Sequence, residues 1–258
     1  MESSEDKIFL KLRNFNAVMG VVHLIQGILM LILSNDFTLP VERTILSYDP
    51  VTEVLTHDTQ TLIDLRIGPL VAMFLFISAI AHFSVSTFGY KWYIRNLKKH
   101  INYARWYEYA FSSSIMILII ALLVGIYELS SLILIFSLNA TMNLFGLMME
   151  LYNQKTEKPN WTAFIYGSFA GLACWFVLGI YFFGALLTAS ESVPTFVYFI
   201  FVSIAIFFNI FAVNMILQYK GIRKWKDYLY GERVYIILSL TAKSALAWQV
   251  FAGTLRGG

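Results

Sequence analysis

Seven long apolar runs divide this chain, and they constrain its fold more than any other feature of the sequence. The runs extend over residues 15–34, 67–89, 101–127, 130–152, 161–187, 196–218 and 234–255. Each approaches or exceeds the length of about 20 residues that a helix needs to cross the hydrocarbon core of a bilayer. Because 58% of the 258 residues are hydrophobic and only 14% are charged, a soluble fold is excluded. We predict an all-α membrane protein, a single domain over residues 1–258 that folds as a seven-helix bundle.

Basic residues are concentrated on one side of the predicted membrane. Under this assignment, 15 of the 19 Lys and Arg residues lie on the side of the N-terminus. They are Lys7, Lys11, Arg13, Lys91, Arg95, Lys98, Lys99, Arg105, Lys155, Lys158, Lys220, Arg223, Lys224, Lys226 and Arg233. The positive-inside rule therefore predicts a multi-pass cell-membrane protein with a cytoplasmic N-terminus and an extracellular C-terminus. These loops also account for the net charge of +3, so the charge does not indicate nucleic-acid binding.

The long connection between the first two runs, residues 35–65, carries a strand pattern. Its stretch ERTILSYDPVTEVLTH alternates apolar and polar residues on either side of Asp49-Pro50. Such alternation around a turn is typical of a β-hairpin. We predict a small β-hairpin in this first extracellular loop. The sequence leaves open whether the hairpin is a solvated cap, a lid or a surface that closes a dimer.

A lysine interrupts the seventh run at the depth where a membrane helix is driest. Lys243 lies ten positions after Arg233, which corresponds to about 15 Å along a helix, half of a core of about 30 Å. Glu108 lies nine positions after Lys99 in the third run, and is about 14 Å deep by the same rise. The third and seventh runs point in the same direction, so the two charges reach nearly the same level. We predict that Lys243 and Glu108 form a buried pair.

Two interpretations of this pair remain open. A buried salt bridge can simply join two helices. A desolvated lysine also condenses readily with an aldehyde to give a Schiff base, and a protonated Schiff base in hydrocarbon needs one carboxylate as its counter-ion. Glu108 would then be that counter-ion. Ser239, one turn before Lys243 on the same helix face, would offer the nitrogen a hydrogen bond.

Other polar side chains also fall within the runs. His23, His82 and Ser78 would form a polar pocket beside the lysine, unless each histidine only bonds to a neighbouring helix. Arg105 is expected to extend to the cytoplasmic interface or to pair with Glu108, three positions further along the same helix.

The sequence resembles a known family. The stretches RWYEYAFSSS and SLTAK, the inverted orientation and the long loop after the first run are similar to those of the heliorhodopsins, a family of the microbial-rhodopsin type. The resemblance covers the whole chain. It implies that Lys243 holds all-trans retinal as a protonated Schiff base, that Glu108 is the sole counter-ion and that Ser239 contacts the Schiff-base region.

The resemblance also implies the surroundings of the chromophore. His23, His82 and Ser78 would build a polar cavity or accept a proton. The retinal pocket would be lined by Tyr109, Ser112, Asn139, Met142, Gly171, Trp175 and Phe208. The aromatic members of this set would equally suit ordinary helix packing. The family is expected to form homodimers in the lipid bilayer and to be photosensory, with a slow photocycle, generally no ion pumping and an unknown signalling partner.

Other functions remain as alternatives. A light-driven proton pump needs a relay of acidic groups, yet the position eleven after Glu108 is Ile119 and the position four before Lys243 is Ser239. An ion channel is a further alternative, and a retinal-free transporter would be expected to show broken helices or paired halves. Because no paired nucleophile and base or metal-ligand spacing is visible, and Cys174 is the only cysteine, we predict no enzyme activity and no metal site. We therefore predict light sensing without net transport.

Overall fold

Seven helices that are long and apolar enough to cross a membrane account for most of the chain. The structure is a computed structural model that describes residues 4–189 and 194–256. Its α-helices are α1 Ser4–Leu33, α2 Ile67–Ser86, α3 Tyr90–Leu97, α4 Tyr103–Leu123, α5 Leu129–Tyr152, α6 Thr162–Ala189, α7 Thr195–Tyr219 and α8 Tyr228–Val250. Within the described residues α3 is the one α-helix too short to span a membrane. The predicted all-α fold with seven spans is confirmed.

The seven spanning helices pack side by side around a common interior. α1 packs on α2, α2 on α4, α4 on α5 and α5 on α6, and α7 packs on α8, which returns to α1. Aromatic side chains join α6 to α7: the rings of Phe182 and Phe201 stack with centroids 4.1 Å apart, and Trp175 meets Phe208 edge-on at 5.6 Å. The interior between these helices is mostly apolar, so its few charged side chains identify the site.

The predicted hairpin is present between α1 and α2. Strands β1 (Thr38–Asp49) and β2 (Val54–Arg66) pair antiparallel. At the turn, Asp49 accepts hydrogen bonds from the Val51 backbone nitrogen at 2.9 Å and from the Thr52 hydroxyl at 2.8 Å. These bonds hold the pKa of the Asp49 carboxyl below its usual range, because both stabilise its ionised form.

At the end of the bundle that carries the hairpin, here called the hairpin end, backbone hydrogen bonds join several elements. The Glu42 backbone nitrogen donates to the Tyr127 carbonyl oxygen at 2.9 Å, which fastens β1 to the connection between α4 and α5. The Asn35 backbone nitrogen donates to the Leu255 carbonyl oxygen at 2.9 Å, in the π-helical turn Phe251–Leu255 that follows α8. These contacts link the hairpin end of α1 to that of α8.

The opposite end, here the basic end, departs from the sequence prediction in three places. α1 begins at Ser4 instead of residue 15, so its first turns precede the apolar run. The amphipathic helix α3 was not predicted; it buries Tyr93 and Leu97 and exposes Arg95. α8 begins at Tyr228 instead of residue 234, because the Asp227 side chain caps the helix by accepting from the Leu229 nitrogen at 2.9 Å. An apolar run ends at charged residues, whereas a helix ends where its backbone hydrogen bonds end.

Candidate functional site

Four polar side chains from three helices meet inside the bundle. Lys243 Nζ on α8 donates to Glu108 Oε1 on α4 at 3.0 Å and lies 3.3 Å from Oε2. It also donates to Ser239 Oγ at 2.7 Å, and the Ser78 hydroxyl on α2 donates to Glu108 Oε1 at 2.6 Å. Only 3% of the Lys243 side chain and 8% of the Glu108 side chain are exposed. The structure thus brings together the predicted pair and both predicted serines.

The local helix geometry explains these contacts. Side chains in a helix point back toward its N-terminus, so the Lys243 ammonium reaches the level of Ser239, one turn earlier on α8. The ammonium also lies 5.1 Å from the ring centroid of Tyr109, the residue after Glu108. The carboxylate balances the charge on the nitrogen, and the two serine hydroxyls bond the same two groups. A lysine nitrogen held in this way can carry a positive charge in a medium that would otherwise exclude it.

The predicted histidines adjoin this pair. The rings of His23 and His82 stack with centroids 5.5 Å apart, and His82 Nδ1 lies 2.8 Å from Asn16 Oδ1. Within the described residues, neither ring nitrogen of His23 has a hydrogen-bond partner, although this side chain is fully buried. Together with Ser78, the histidines give the α1–α2 side of the site its polar character. The structure therefore places the predicted polar group beside Glu108.

A cavity of about 410 Å³ extends from Lys243 between α4, α5, α6, α7 and α8. Lys243 and Ser239 form part of its wall, and most of the remaining wall is apolar or aromatic. Its volume lies within the range of sites that enclose small organic molecules. An apolar ligand with an aldehyde group that reacts with Lys243 suits this cavity, so the residues present fit retinal.

Most of the predicted pocket residues line this large cavity. They are Tyr109, Met142, Gly171, Trp175 and Phe208. Ser112 and Asn139 are buried but do not line this cavity. Ser112 lies one turn after Glu108 and so shares the face of that residue, and the Asn139 amide donates to the hydroxyls of Ser113 and Ser114 at 2.8 and 3.0 Å.

The aromatic residues of the wall that were missed from the sequence include Trp106, Phe211 and Tyr235. The Phe211 ring meets the Tyr109 ring edge-on at 5.3 Å, and the Tyr109 hydroxyl donates to the Tyr235 carbonyl oxygen at 3.0 Å. Helical spacing could have found them: Trp106 is three positions before Tyr109, Phe211 is three after Phe208, and Tyr235 is two turns before Lys243.

Arg105 contradicts the sequence prediction most clearly. Instead of extending to the interface or pairing with Glu108, its guanidinium forms ion pairs with Glu150 on α5 and Glu232 on α8. It packs between aromatic rings, with Cζ 3.9 Å from the Tyr235 ring centroid. Glu150 was expected near a span end and Glu232 outside any span, so neither was recognised as a buried partner. We call Arg105, Glu150 and Glu232 the Arg105 cluster.

The fold and this site define a class: a seven-helix membrane protein with a buried lysine on its seventh spanning helix, a carboxylate beside the lysine and an apolar cavity in front of it. The chain matches the heliorhodopsin family model over residues 12–255 and belongs to the heliorhodopsin family. No curated protein matches it. Heliorhodopsins are retinal-binding, light-responsive rhodopsins, so this chain is a multi-pass membrane protein that binds retinal and responds to light.

Proposed function

We propose that this protein senses light through all-trans retinal bound covalently to Lys243 as a protonated Schiff base, with Glu108 as its counter-ion. The proposal rests on one observation. Lys243, whose Nζ lies 3.0 Å from Glu108 Oε1, also forms part of the wall of the large cavity. A salt bridge that only joined two helices would not need a ligand-sized cavity at its lysine. The bound retinal would supply the absorption of light and the isomerisation of a double bond.

The side chains around the large cavity would have separate roles. Glu108 would keep the Lys243 nitrogen positively charged, and Ser78 and Ser239 would fix the carboxylate and the nitrogen by the hydrogen bonds described above. Trp175 and Phe208, in edge-on contact, would exclude water and restrict the motion of an apolar ligand. The protein would therefore stabilise the positive nitrogen at one end of the cavity and restrict the shape of the ligand along the rest.

We further propose that the basic end faces the cytoplasm and that the protein acts as a homodimer that signals to a separate partner without catalysing a reaction itself. The concentration of basic residues supports the orientation. Net pumping is not expected, because Ile119 and Ser239 occupy the two positions where a proton relay would need acids.

A spectroscopic and a transport measurement together test this function. The protein purified from cells supplied with all-trans retinal is expected to have a visible absorption band, and illumination of those cells is expected to leave the external pH unchanged. A light-induced pH change that a protonophore abolishes would demonstrate pumping and contradict the sensory proposal. A colourless protein under the same conditions would contradict retinal binding at Lys243.

Glu108→Gln tests the counter-ion. We expect this variant to absorb in the near ultraviolet at neutral pH, because a Schiff-base nitrogen without a carboxylate partner in hydrocarbon gives up its proton. The measurement is an absorption spectrum beside that of Glu128→Gln, the same chemical change at the hairpin end, which should keep its colour. If Glu108→Gln remained coloured, the counter-ion would have to be another acid.

A further inference from the structure

The charges of the Arg105 cluster do not balance. One guanidinium faces two carboxylates, and the exposed fractions of the three side chains are only 4%, 2% and 1% for Arg105, Glu150 and Glu232. The Lys243–Glu108 pair, by contrast, is neutral as a whole. An uncompensated charge at such burial is costly, and two neighbouring carboxylates avoid that cost by sharing a proton.

Asn102, the residue that caps α4, holds both carboxylates in place. Its backbone nitrogen donates to Glu150 Oε2 at 2.8 Å, and its side-chain amide donates to Glu232 Oε2 at 2.6 Å. The Asn102 side-chain oxygen accepts a hydrogen bond from the Arg105 backbone nitrogen at 3.0 Å, and this bond fixes the orientation of the amide. The two carboxylates therefore belong to one preorganised unit that is centred on the first turn of α4.

A second, small cavity of about 40 Å³ joins this unit to the Lys243 site. Its wall contains Glu232 and Arg105 from the cluster and Glu108 and Ser239 from the site. It is large enough for at least one water molecule, which needs about 10–15 Å³ by the usual criterion. Arg105 lines this cavity, and its buried Nε has no hydrogen-bond partner within the described residues, so this N–H has an unused capacity to donate.

We propose that the Arg105 cluster is a second proton-binding site, in which Glu150 and Glu232 hold one proton between them at neutral pH, and that the small cavity connects this proton with Glu108. The bound proton brings the net charge of the cluster to zero. In a transfer, an O–H bond of Glu232 breaks and water in the small cavity takes up the proton. The water passes a proton on to Glu108, so Glu108 loses its negative charge and the cluster gains one. Glu232 and Ser239 are two turns apart on α8, about 10 Å, which a short water chain can bridge.

The tyrosines around the cluster cannot supply the missing positive charge, because a phenol is either neutral or negative. They are Tyr93, Tyr219, Tyr228 and Tyr235, with His100 stacked on Tyr228 at 4.6 Å. Burial, and secondarily the charge of Glu232, raise the pKa of the Tyr93 hydroxyl on α3 above its ordinary value, so this group stays neutral. Arg105 is the one cation that is described against the two carboxylates.

Infrared spectroscopy of the retinal-free protein tests the proton-binding site without depending on the proposed function. At neutral pH the protein is expected to show the carbonyl stretch of a protonated carboxyl group, and Glu150→Gln and Glu232→Gln are each expected to lose it. Both variants imitate a protonated carboxyl group and should fold. Glu232→Asp gives a further test, because it should shift the band instead of removing it. A parent without the band, or a band that survives both Gln variants, overturns the proposal.

Two controls assign the band to this cluster. Glu128→Gln at the hairpin end and Glu108→Gln at the Lys243 site should both retain it. A band that disappears in Glu108→Gln but persists in Glu232→Gln belongs to the Lys243 site and contradicts the proposal.

The connection through the small cavity rests on the proposed function and is tested on the retinal-loaded protein. Illumination should change the intensity of the same carboxyl band, and this light-dependent change should be absent from Glu232→Gln. If the visible band responds to light while the carboxyl band stays constant, the connection is refuted. If no visible band forms at all, the proposed function fails, whereas the retinal-free measurement still decides whether the cluster binds a proton.

Discussion

Lys243→Ala is expected to abolish the visible absorption band of the protein prepared with all-trans retinal. The reason is chemical, since the substitution removes the one primary amine described on the wall of the large cavity. We expect no residual visible band, in contrast to Glu108→Gln, which should retain bound retinal and only change its colour. The measurement is an absorption spectrum of both proteins purified in parallel.

Two further variants make this result unambiguous. Lys220→Ala removes an exposed lysine from the basic end and should keep the full band. Because Lys243→Ala leaves the buried Glu108 unpaired, the double variant Lys243→Ala/Glu108→Gln removes both charges and protects the fold. A folded double variant that still formed a covalent, coloured complex would show that retinal attaches elsewhere.

Arg105→Met is expected to have the largest effect on stability. It removes the only cation that faces Glu150 and Glu232 within the described residues. Removing one partner of a buried ion pair lowers the free energy of unfolding by about 3–5 kcal/mol. Equilibrium unfolding in detergent, followed by circular dichroism, measures the free energy of unfolding. Arg95→Met on the exposed face of α3 is the matched control and should change that free energy by less than about 0.5 kcal/mol.

A rescue experiment separates charge from packing in this cluster. The triple variant Arg105→Met/Glu150→Gln/Glu232→Gln contains no buried charge at the cluster and should recover most of the lost stability. If the triple variant were as unstable as Arg105→Met, the loss would come from the packing of the guanidinium against Tyr235 instead of from unpaired carboxylates.

The fold could be predicted from the sequence because membrane spans and a hairpin leave local patterns. Apolar length located all seven spans, and alternation around Asp49 located β1 and β2. The starts of α1 and α8 and the whole of α3 could not be found in this way. All three lie at the basic end, where hydropathy no longer distinguishes helix from loop.

The site was predictable to the extent that each residue could be placed by depth or by spacing. Lys243 and Glu108 are ionisable groups within apolar runs, and one turn of helix relates Ser239 to the lysine. Arg105 was misassigned because its partners are 45 and 127 residues away, and no local pattern relates them. The direction of the buried Asn139 amide could not be predicted, because it depends on the neighbouring hydroxyls of α4.

The helix α8 completes both buried charge clusters, and this has a consequence for biogenesis. Lys243 follows Glu108 by 135 residues, and Glu232 follows Arg105 by 127. At a synthesis rate of about 5–20 residues per second, α4 exists for on the order of 10 s before α8 is made. During this interval Glu108 has no ammonium partner, and a bilayer disfavours its charge. A chain truncated before Lys243 would therefore leave the Glu108 carboxylate without its ammonium partner in the bilayer.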